Sequence, residues 1–415
     1  MSTEVPEGWC DLAIGDWAKP VKRWVGEAKA PVLSMTKHSG FVRQAEYFSR
    51  NVHSQDTSKY KIVRKGDFAY ATIHLDEGSI DYLRNIEVGA ISPMYTVFEV
   101  DSNFVDRDFV FAALKRLALA GKFNSLSSGG VNRRKSINFK DLQKYHLPLP
   151  PLPEQRKIAE ILTSVDGAIQ ATEAVIEQTK KVKQGVMDRL LTKGIGHTRF
   201  KQTEIGEIPE EWEVGPLCDV ISPPSAGVSV NAHSDPAGAG ELGVLKTSAV
   251  SGGGFKVSEN KRVDLAAEIE RLATPVESDT VIINRKNTPA LVGASAYIRQ
   301  GSENIFLSDL LWSFRSKKES VKTEWIGLNV NRLYKSGAIR SLASGTSASM
   351  SNISKKAFLT IEMPIPPIGE QTEIIDKSQV FDRRIFHLDE NKSLLLKLKS
   401  ALMADLLTGR KRVAV

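Results

Sequence analysis

The sequence predicts an α+β protein in which two globular blocks are separated by two long antiparallel α-helices that form a coiled coil. Two observations carry this prediction: an internal repeat, and a heptad pattern of apolar residues in each copy of the repeat. A third gives the α+β class, because short β-branched and aromatic runs are mixed with amphipathic helical stretches in both blocks. A chain of 415 residues also exceeds what one hydrophobic core usually supports.

The internal repeat emerges when the chain is shifted by 216 residues, which aligns residues 126–193 with residues 342–409 without a gap. In this alignment "PPLPEQRKIAEILTSVD" from Pro150 matches "PPIGEQTEIIDKSQVFD" from Pro366. Weaker matches lie upstream, where "PEGW" in the first copy is matched by "PEEW" in the second. A period of about 200 residues is too long for a solenoid and indicates a duplicated domain with pseudo-two-fold symmetry.

Each copy ends in a long helix. Pro153 suits a first helical position, and the first helix is predicted over residues 154–192, followed by a stop at Gly194. At about 1.5 Å per residue, roughly 39 residues span about 58 Å. The residues that alternate at spacings of four and three are Ile158, Leu162, Val165, Ile169, Thr172, Ile176, Thr179, Lys183, Val186 and Leu190 in the first helix, and Ile374, Phe381, Ile385, Leu388, Leu395, Leu402 and Leu406 in the second. Two helices with one narrow apolar stripe each are expected to bury those stripes against each other.

The blocks combine predicted strands, such as "DFAYATI", "MYTVFEV", "TVIINR" and "LLWSFR", with predicted helices starting at Arg107 and Trp325. Proline-rich extended turns join each block to its helix. Before these turns lie two polar loops, "SLSSGGVNRRKSIN" from Ser125 and "SLASGTSASMSNIS" from Ser341. The loops occupy equivalent places and differ in nearly every side chain, which is typical of a recognition surface on a constant frame.

The charge favours a polyanionic partner. The formal net charge is +7 and the pI is near 9.1, and Lys or Arg side chains on phosphates release condensed counterions. Arg, Lys, Asn, Ser and Thr side chains reach phosphates and base edges, so the polar loops supply the candidate contacts to such a partner. These candidates are Ser128, Asn132, Arg133, Arg134 and Lys135 in the first block, and Thr346, Ser347 and Ser349 in the second. Arg285, Lys286 and Asn287 are further candidates of the second block, in the basic loop "NRKNT" that directly follows a predicted strand.

Several reaction centres are absent from the sequence. There is no phosphate-binding Gly-Lys-Ser/Thr loop, no Gly-x-Ser-x-Gly elbow and no Asn-Pro-Pro-Tyr motif, and "GAGELG" precedes a predicted strand instead of following one. The seven His and two Cys residues show no metal spacing, so no catalytic, cofactor-binding or metal residue is predicted. Because no long apolar run or signal peptide is found, the predicted location is cytoplasmic and no membrane contact is expected.

The constant segments "LPLPPLPEQRKIAEILTSVD", "LLTKGIGHTRFKQTEIGEIPEEWE" and "ALMADLLTGRKRV" resemble the conserved regions of the DNA specificity subunit of type I restriction-modification enzymes. The resemblance covers residues 147–213 and 363–413, and the repeat layout extends it over the chain. It departs from the family pattern at Gly369, which replaces a proline. It implies target-recognition domains at residues 1–149 and 197–365, with conserved spacer helices at 150–196 and 366–415.

The resemblance also implies function and partners. Each target-recognition domain would read one half of a split, asymmetric site in double-stranded DNA, and the chain itself would be non-catalytic. Two modification subunits, which bind S-adenosylmethionine and methylate adenine, would dock on the helices. Restriction subunits would use ATP to translocate and cut DNA.

Two other interpretations stay open on the sequence alone. The chain could be a duplicated coiled-coil scaffold whose blocks bind proteins, which accounts for the helices and the missing chemistry but leaves the basic excess unexplained. It could also be a nucleic-acid enzyme with an unrecognised centre. A scaffold that binds only proteins should show no salt-dependent retention of random duplex DNA. Turnover by the isolated chain with S-adenosylmethionine or ATP would support the enzyme.

Overall fold

A computed structural model describes most of the chain, namely residues 5–27, 30–36, 40–47, 54, 56–126, 136–251, 254–347 and 350–414. The chain divides into two compact units. Unit 1 consists of Met1–Val175 and Leu388–Val415, and unit 2 consists of Ile176–His387. Each unit therefore contains one globular block together with a part of each long helix.

The block of unit 1 is a mixture of short strands and helices. In chain order its elements are β1 (Cys10–Ala13), α1 (Ile14–Trp17), β2 (Ala18–Val21), β3 (Leu33–Thr36), β4 (Gly40–Arg43), α2 (Gln44–Tyr47), β5 (Lys61–Arg64), β6 (Phe68–Ala71), β7 (Ile80–Tyr82), β8 (Val88–Ile91), β9 (Tyr95–Val100), α3 (Arg107–Leu119), the 3-10 turn Asn124–Leu126, α4 (Phe139–Leu142) and β10 (His146–Leu149). Strands β2, β9, β6 and β7 form one antiparallel sheet in that order, while β3 pairs with β4 and β5 with β8.

Helix α3 covers this sheet because its apolar residues recur on one side. Phe109, Val110, Ala113 and Leu114 are buried, and they belong to the same core as Phe68 and Phe98, whose rings stack with centroids 5.2 Å apart. The side chain of Asp106 caps the helix by accepting hydrogen bonds from the backbone N–H groups of Asp108 and Phe109. The strands and the helix predicted for this block are confirmed.

The first long helix is α5 (Leu152–Lys193), which begins two residues before the predicted start and ends one residue after the predicted end. Its predicted stripe is confirmed by burial. Ile158, Leu162, Ile169, Thr172 and Ile176 are buried, and the other stripe positions are half-buried. Alternation by four and three residues keeps these side chains on one side of the helix.

Unit 2 repeats the central sheet of unit 1. Its elements are β11 (Phe200–Thr203), β12 (Gly206–Pro209), β13 (Glu213–Pro216), α6 (Leu217–Val220), β14 (Ser225–Ala226), β15 (Leu242–Leu245), the 3-10 turn Thr247–Ala249, β16 (Asn260–Val263), α7 (Ala266–Ile269), β17 (Pro275–Val276), β18 (Thr280–Asn284), β19 (Lys286–Asn287), β20 (Ser295–Ile298), β21 (Ser302–Phe306), β22 (Leu311–Phe314), α8 (Thr323–Lys335), α9 (Ala338–Ser341), β23 (Ala343–Ser347), β24 (Met350–Ile353), α10 (Lys355–Leu359) and β25 (Glu362–Ile365). The sheet β14-β22-β18-β20 has the order of β2-β9-β6-β7, and α8 occupies the place of α3. Unit 2 adds the sheet β16-β15-β21-β17, in which β15 and β21 are parallel.

The second long helix, α11 (Ile368–Leu406), pairs antiparallel with α5 within each unit. In unit 1 the Nζ of Lys399 lies 2.5 Å from a carboxylate oxygen of Asp166. In unit 2 the Nζ of Lys183 lies 2.5 Å from a carboxylate oxygen of Asp382. The shift of 216 residues converts one ion pair into the other, so the predicted antiparallel, pseudo-symmetric pairing is confirmed in both units. Exposed ion pairs stabilise little, and here they chiefly report register.

In unit 1 the start of α5 is tied to the segment that follows α11. Glu154 is buried, and its carboxylate accepts hydrogen bonds from Nε and Nη2 of Arg412 at 2.7 and 2.8 Å. The same guanidinium donates through Nη1 to the carbonyl oxygen of Glu7 at 2.6 Å and lies near the ring of Trp9. The buried Glu154 therefore joins three distant parts of the chain in one contact.

In unit 2 the start of α11 is tied in the same way to the segment that follows α5. Glu370 accepts hydrogen bonds from the backbone N–H of Ile195 at 2.9 Å and from Nε1 of Trp212 at 2.8 Å, and Nε2 of His197 lies 2.9 Å from the same carboxylate. The chain reverses after each helix at a glycine with positive φ, Gly194 (63°) or Gly409 (71°). A side chain at either glycine would meet the six-membered ring of Trp212 or Trp9.

The Glu370 contact gives a stability prediction. Glu370→Ala should lower the free energy of unfolding by about 3 kcal/mol, because it leaves Trp212 Nε1 and the Ile195 N–H enclosed without an acceptor. Urea unfolding followed by tryptophan fluorescence measures this. Glu373→Ala is the matched control on the same helix, since the ion pair of Glu373 is made with the exposed Lys377 at 3.1 Å. Equal losses in the two variants would contradict the role given to Glu370.

Candidate nucleic-acid interface

A three-stranded sheet in unit 2 brings two of the predicted loops together. Strand β19, which holds Lys286 and Asn287, pairs antiparallel with β24, and β24 pairs with β23. Thr346 and Ser347 lie on β23, so candidates about sixty positions apart in sequence share one sheet. Ser349, the last candidate of this block, lies outside the described residues.

One prediction for this region is wrong. The segment from Ser341 is predicted as a polar loop, but residues 343–347 form β23 and residues 350–353 form β24, and these strands pair antiparallel with a register irregularity between Ser344 and Ser347. Its Ser-rich and Gly-containing sequence is weak for a strand. The strand pair nevertheless forms because β19, a distant segment, supplies further backbone partners to β24.

Arg285 and Lys286 have different environments in this sheet. Arg285 is half-buried, and its Nε donates a hydrogen bond to the carbonyl oxygen of Asp309 at 2.6 Å, while its guanidinium carbon lies 5.9 Å from the centre of the Trp312 ring. Its backbone N–H also donates to Leu310, and its carbonyl accepts from Ile353. Lys286 makes no side-chain contact of this kind with the described residues. Arg285 therefore anchors the strand, and Lys286 has its ammonium group available.

Two asparagine amides in this sheet are only partly hydrogen-bonded. The Oδ1 atom of Asn287 accepts from the backbone N–H of Thr288 at 2.8 Å, but its Nδ2 is enclosed without a partner among the described residues. Asn352, which faces Lys286 across the ladder, has an enclosed Oδ1 in the same condition. Sequence reasoning did not select Asn352, although it lies in the polar segment from Ser341. Both groups are enclosed in this conformation, so a base edge could reach them only after neighbouring side chains move aside.

The five candidates of the first block, Ser128, Asn132, Arg133, Arg134 and Lys135, lie outside the described residues. Ile137, which follows the loop that holds these candidates, is anchored in the same way as Ile353 in the second block. The N–H of Ile137 donates to the carbonyl oxygen of Thr72 at 2.9 Å, and the N–H of Ile353 donates to that of Arg285 at 2.9 Å. Residues 72–74 thus occupy the place of residues 285–287, one position away from the weak sequence match of "GDFAYATI" from Gly66 with "SDTVIINR" from Ser278.

Equivalent cavities lie in the two units, between the start of each long helix and the block. The first, of about 630 Å³, has four cationic residues and two aspartates in its wall, and the second, of about 560 Å³, has three lysines and four acidic residues. In the first, burial raises the pKa of Tyr82 to about 12, and its hydroxyl donates to Asp108 at 2.6 Å. In the second, burial raises the pKa of Tyr297, which donates to Asp279 at 2.9 Å. The differing charge gives no indication of a shared small ligand.

Within the described ranges there is no group of three His, Cys, Asp or Glu side chains that could hold a metal ion. In that same part of the chain, none of the helices combines the length and the apolar character that a bilayer span requires.

A family sequence model identifies the family of this chain. The model of the type I restriction modification DNA specificity domain matches this chain twice, at residues 17–181 and 209–398. This chain belongs to that family. Each match begins in a block and ends in a long helix, so the two copies of the specificity domain coincide with the internal repeat.

Relatives and solved structures of the specificity family resemble the chain along its full length. The type I restriction enzyme MjaVIII specificity subunit of Methanocaldococcus jannaschii is 27% identical over 420 residues, covering 99% of this chain and 94% of the relative. The type I restriction-modification system S subunit from M. genitalium shares the fold with a TM-score of 0.54 at 15% identity, over 98% of each chain. A chain from another solved type I restriction-modification system aligns with a TM-score of 0.58 at 15% identity, over 97% of this chain and 98% of the other.

The unpaired amide of Asn352 leads to a stability prediction. Asn352→Leu should leave the free energy of unfolding unchanged or raise it by up to about 1 kcal/mol, because the enclosed Oδ1 has no hydrogen bond to lose. The control is Asn260→Leu. Asn260 is buried, accepts from the Ala237 N–H at 2.8 Å and donates to the Val257 carbonyl at 2.8 Å, so its loss should cost about 2 kcal/mol. Chemical denaturation measures both, and a similar cost at Asn352 would show that its amide serves stability.

Proposed function

We propose that this chain is the non-catalytic, sequence-reading subunit of a type I restriction-modification complex and that it reads a two-part, asymmetric site in double-stranded DNA. The proposal rests on one observation: the two long helices are duplicated symmetrically, whereas the polar segments before them have diverged. The ion pairs Asp166–Lys399 and Lys183–Asp382 are exchanged by the repeat, whereas the polar segments before the long helices differ in sequence. Symmetric helices that carry different polar segments suit a DNA site whose two halves are related by position and differ in their bases.

We further propose that residues 1–149 and 197–365 act as the two target-recognition domains, with residues 150–196 and 366–415 as spacers. Helix α5 has 42 residues, and at about 1.5 Å per residue this corresponds to about 63 Å, or nearly two turns of B-DNA. Unread base pairs between the two half-sites follow from a spacer of that length.

The proposed DNA contacts are the polar residues singled out in the sequence, with Asn352 added from the geometry of the sheet. Lys286 would contact phosphate, and the amides of Asn287 and Asn352 would reach base edges once the neighbouring side chains that enclose them move aside. Arg285 would hold the strand in place through its bond to Asp309. The remaining proposed contacts are Ser128, Asn132, Arg133, Arg134, Lys135, Thr346, Ser347 and Ser349.

The chemistry would come from partners. Two modification subunits carrying S-adenosylmethionine would dock on the long helices, and restriction subunits would use ATP. Exposed apolar side chains on α11 support a docking role: Leu394 and Leu398 in unit 1 are 62% and 47% exposed, and Val380 in unit 2 is 57% exposed. An adaptor that binds only proteins would also use such residues, so DNA binding is the property that separates the two functions.

Lys286 tests the proposed interface. Lys286→Ala should weaken binding of the modification complex to its DNA site and reduce the slope of log affinity against log salt by about one, because one phosphate contact is lost. Fluorescence anisotropy at several salt concentrations measures both quantities. Lys180→Ala, on α5 where Lys180 pairs with Glu177 at 2.9 Å, is the control. An unchanged affinity and slope for Lys286→Ala would remove this sheet from the interface.

An exchange of blocks tests the division of labour. Replacing residues 1–149 with the corresponding block of another family member should change one half of the methylated site and leave the other half and the gap unchanged. Mapping methylated adenines in DNA exposed to the chain and its modification subunits reads both halves at once. Changes in both halves would contradict the assignment of one block to each half-site.

A further inference from the structure

Gln155 and Gln371 make the same set of hydrogen bonds in the two units. In unit 1 the Nε2 of Gln155 donates to the carbonyl oxygens of Phe104 at 3.0 Å and Pro150 at 2.9 Å, and its Oε1 accepts from the N–H of Asp106 at 2.8 Å. In unit 2 the Nε2 of Gln371 donates to Ser320 at 2.9 Å and Pro366 at 2.8 Å, and its Oε1 accepts from Lys322 at 2.9 Å. The same three hydrogen bonds are therefore present in both copies of the repeat.

These bonds join each long helix to its block. Pro150 and Pro366 belong to the turn before the helix, whereas the other bonded residues lie in the block, directly before α3 or α8. The two glutamines are 1% and 0% exposed, and each uses both amide hydrogens as donors. A glutamate would present carboxylate oxygens to two carbonyls, and an alanine would leave three backbone groups unpaired. The contact therefore requires the glutamine amide.

The block contributes only backbone atoms to the contact, so its own sequence is free to vary there. Phe104 in unit 1 corresponds to Ser320 in unit 2, and Asp106 corresponds to Lys322. Asp106 caps its helix through a side-chain bond, and Lys322 does not. The surroundings have diverged while the glutamine and its bonds are kept, which is expected if the bonds hold blocks of different sequence in one orientation.

We propose that Gln155 and Gln371 are positioning residues that fix the orientation of each block on its long helix and thereby restrict the gap between the two DNA half-sites. This inference rests on the proposed function. Neighbouring base pairs are separated by about 3.4 Å along the duplex, whereas a hydrogen bond tolerates only a few tenths of an ångström. A block held by these three bonds is thus confined to one base-pair register on DNA. A block without these bonds can shift to the neighbouring register.

The test measures methylation of a DNA library by the chain assembled with its modification subunits. The library carries the two half-sites with the native gap, or with a gap one base pair shorter or longer. The wild-type complex should prefer the native gap by about tenfold or more, as for loss of a specific contact. Gln155→Ala and Gln371→Ala should reduce this preference to about threefold or less and leave the base preference of each half-site unchanged.

The gap preference is a ratio within one sample, so a lower amount of folded complex does not change it. Gln170→Ala, at an exposed position of α5, is the matched control and should keep the native preference. Gln155→Met retains the length and packing of the side chain without its hydrogen bonds, and replaces Gln155→Ala if that variant does not assemble. Gln155→Glu should also lose the preference, because its carboxylate faces carbonyl oxygens.

A native gap preference in the glutamine variants would overturn the positioning role. So would a change in the bases read by a half-site with the gap preference intact. Failure of the proposed function gives a different result, because the wild-type complex itself would then methylate no split site.

Discussion

Each long helix opens with a Glu-Gln pair in which the glutamine is buried and the glutamate is buried in unit 1 and half-buried in unit 2, and the rest of each unit depends on the hydrogen bonds of that pair. The glutamate holds the segment that follows the other long helix, through Arg412 in unit 1 and through His197 and Trp212 in unit 2. The adjacent glutamine holds the block. One helical turn thus gathers segments that are far apart in sequence. Enclosed carboxylate and amide groups without partners cost several kcal/mol, so these segments cannot separate independently.

This arrangement explains how the two units diverged without losing a common frame. The central sheets have the same strand order, although unit 2 adds the sheet β16-β15-β21-β17. The contacts made by Gln155 and Gln371 on the block are to backbone atoms, which every sequence supplies. Side chains around them could therefore change during divergence while the connection to the helix stayed the same. Because the glutamines bind backbone atoms, the connection between helix and block is kept in both units while the polar segments of the blocks are free to vary.

The features predicted from the sequence are those that local patterns encode. Heptad spacing gave both helices and their stripe, since burial of Ile158 or Ile374 depends on periodicity within one helix. Contacts between distant segments other than the two long helices were missed. The strand pair β23 and β24 forms against β19, and Arg412 is placed by a carboxylate 258 residues away. No local pattern in the serine-rich segment or in the basic C-terminal segment indicates these partners.

The amides of the frame and those of the proposed reading surface differ in how fully they are hydrogen-bonded. Gln155 and Gln371 have partners for both donors and for the acceptor, whereas Asn287 keeps an unpaired donor and Asn352 an unpaired acceptor. A saturated amide fixes a structure because every departure breaks bonds. An unsaturated one already bears the cost of its desolvation in the free protein, and a matching base edge that displaces the groups enclosing it would remove that cost on binding. A mismatched base would leave the cost in place, so these asparagines would contribute more to discrimination between sites than to affinity for DNA in general.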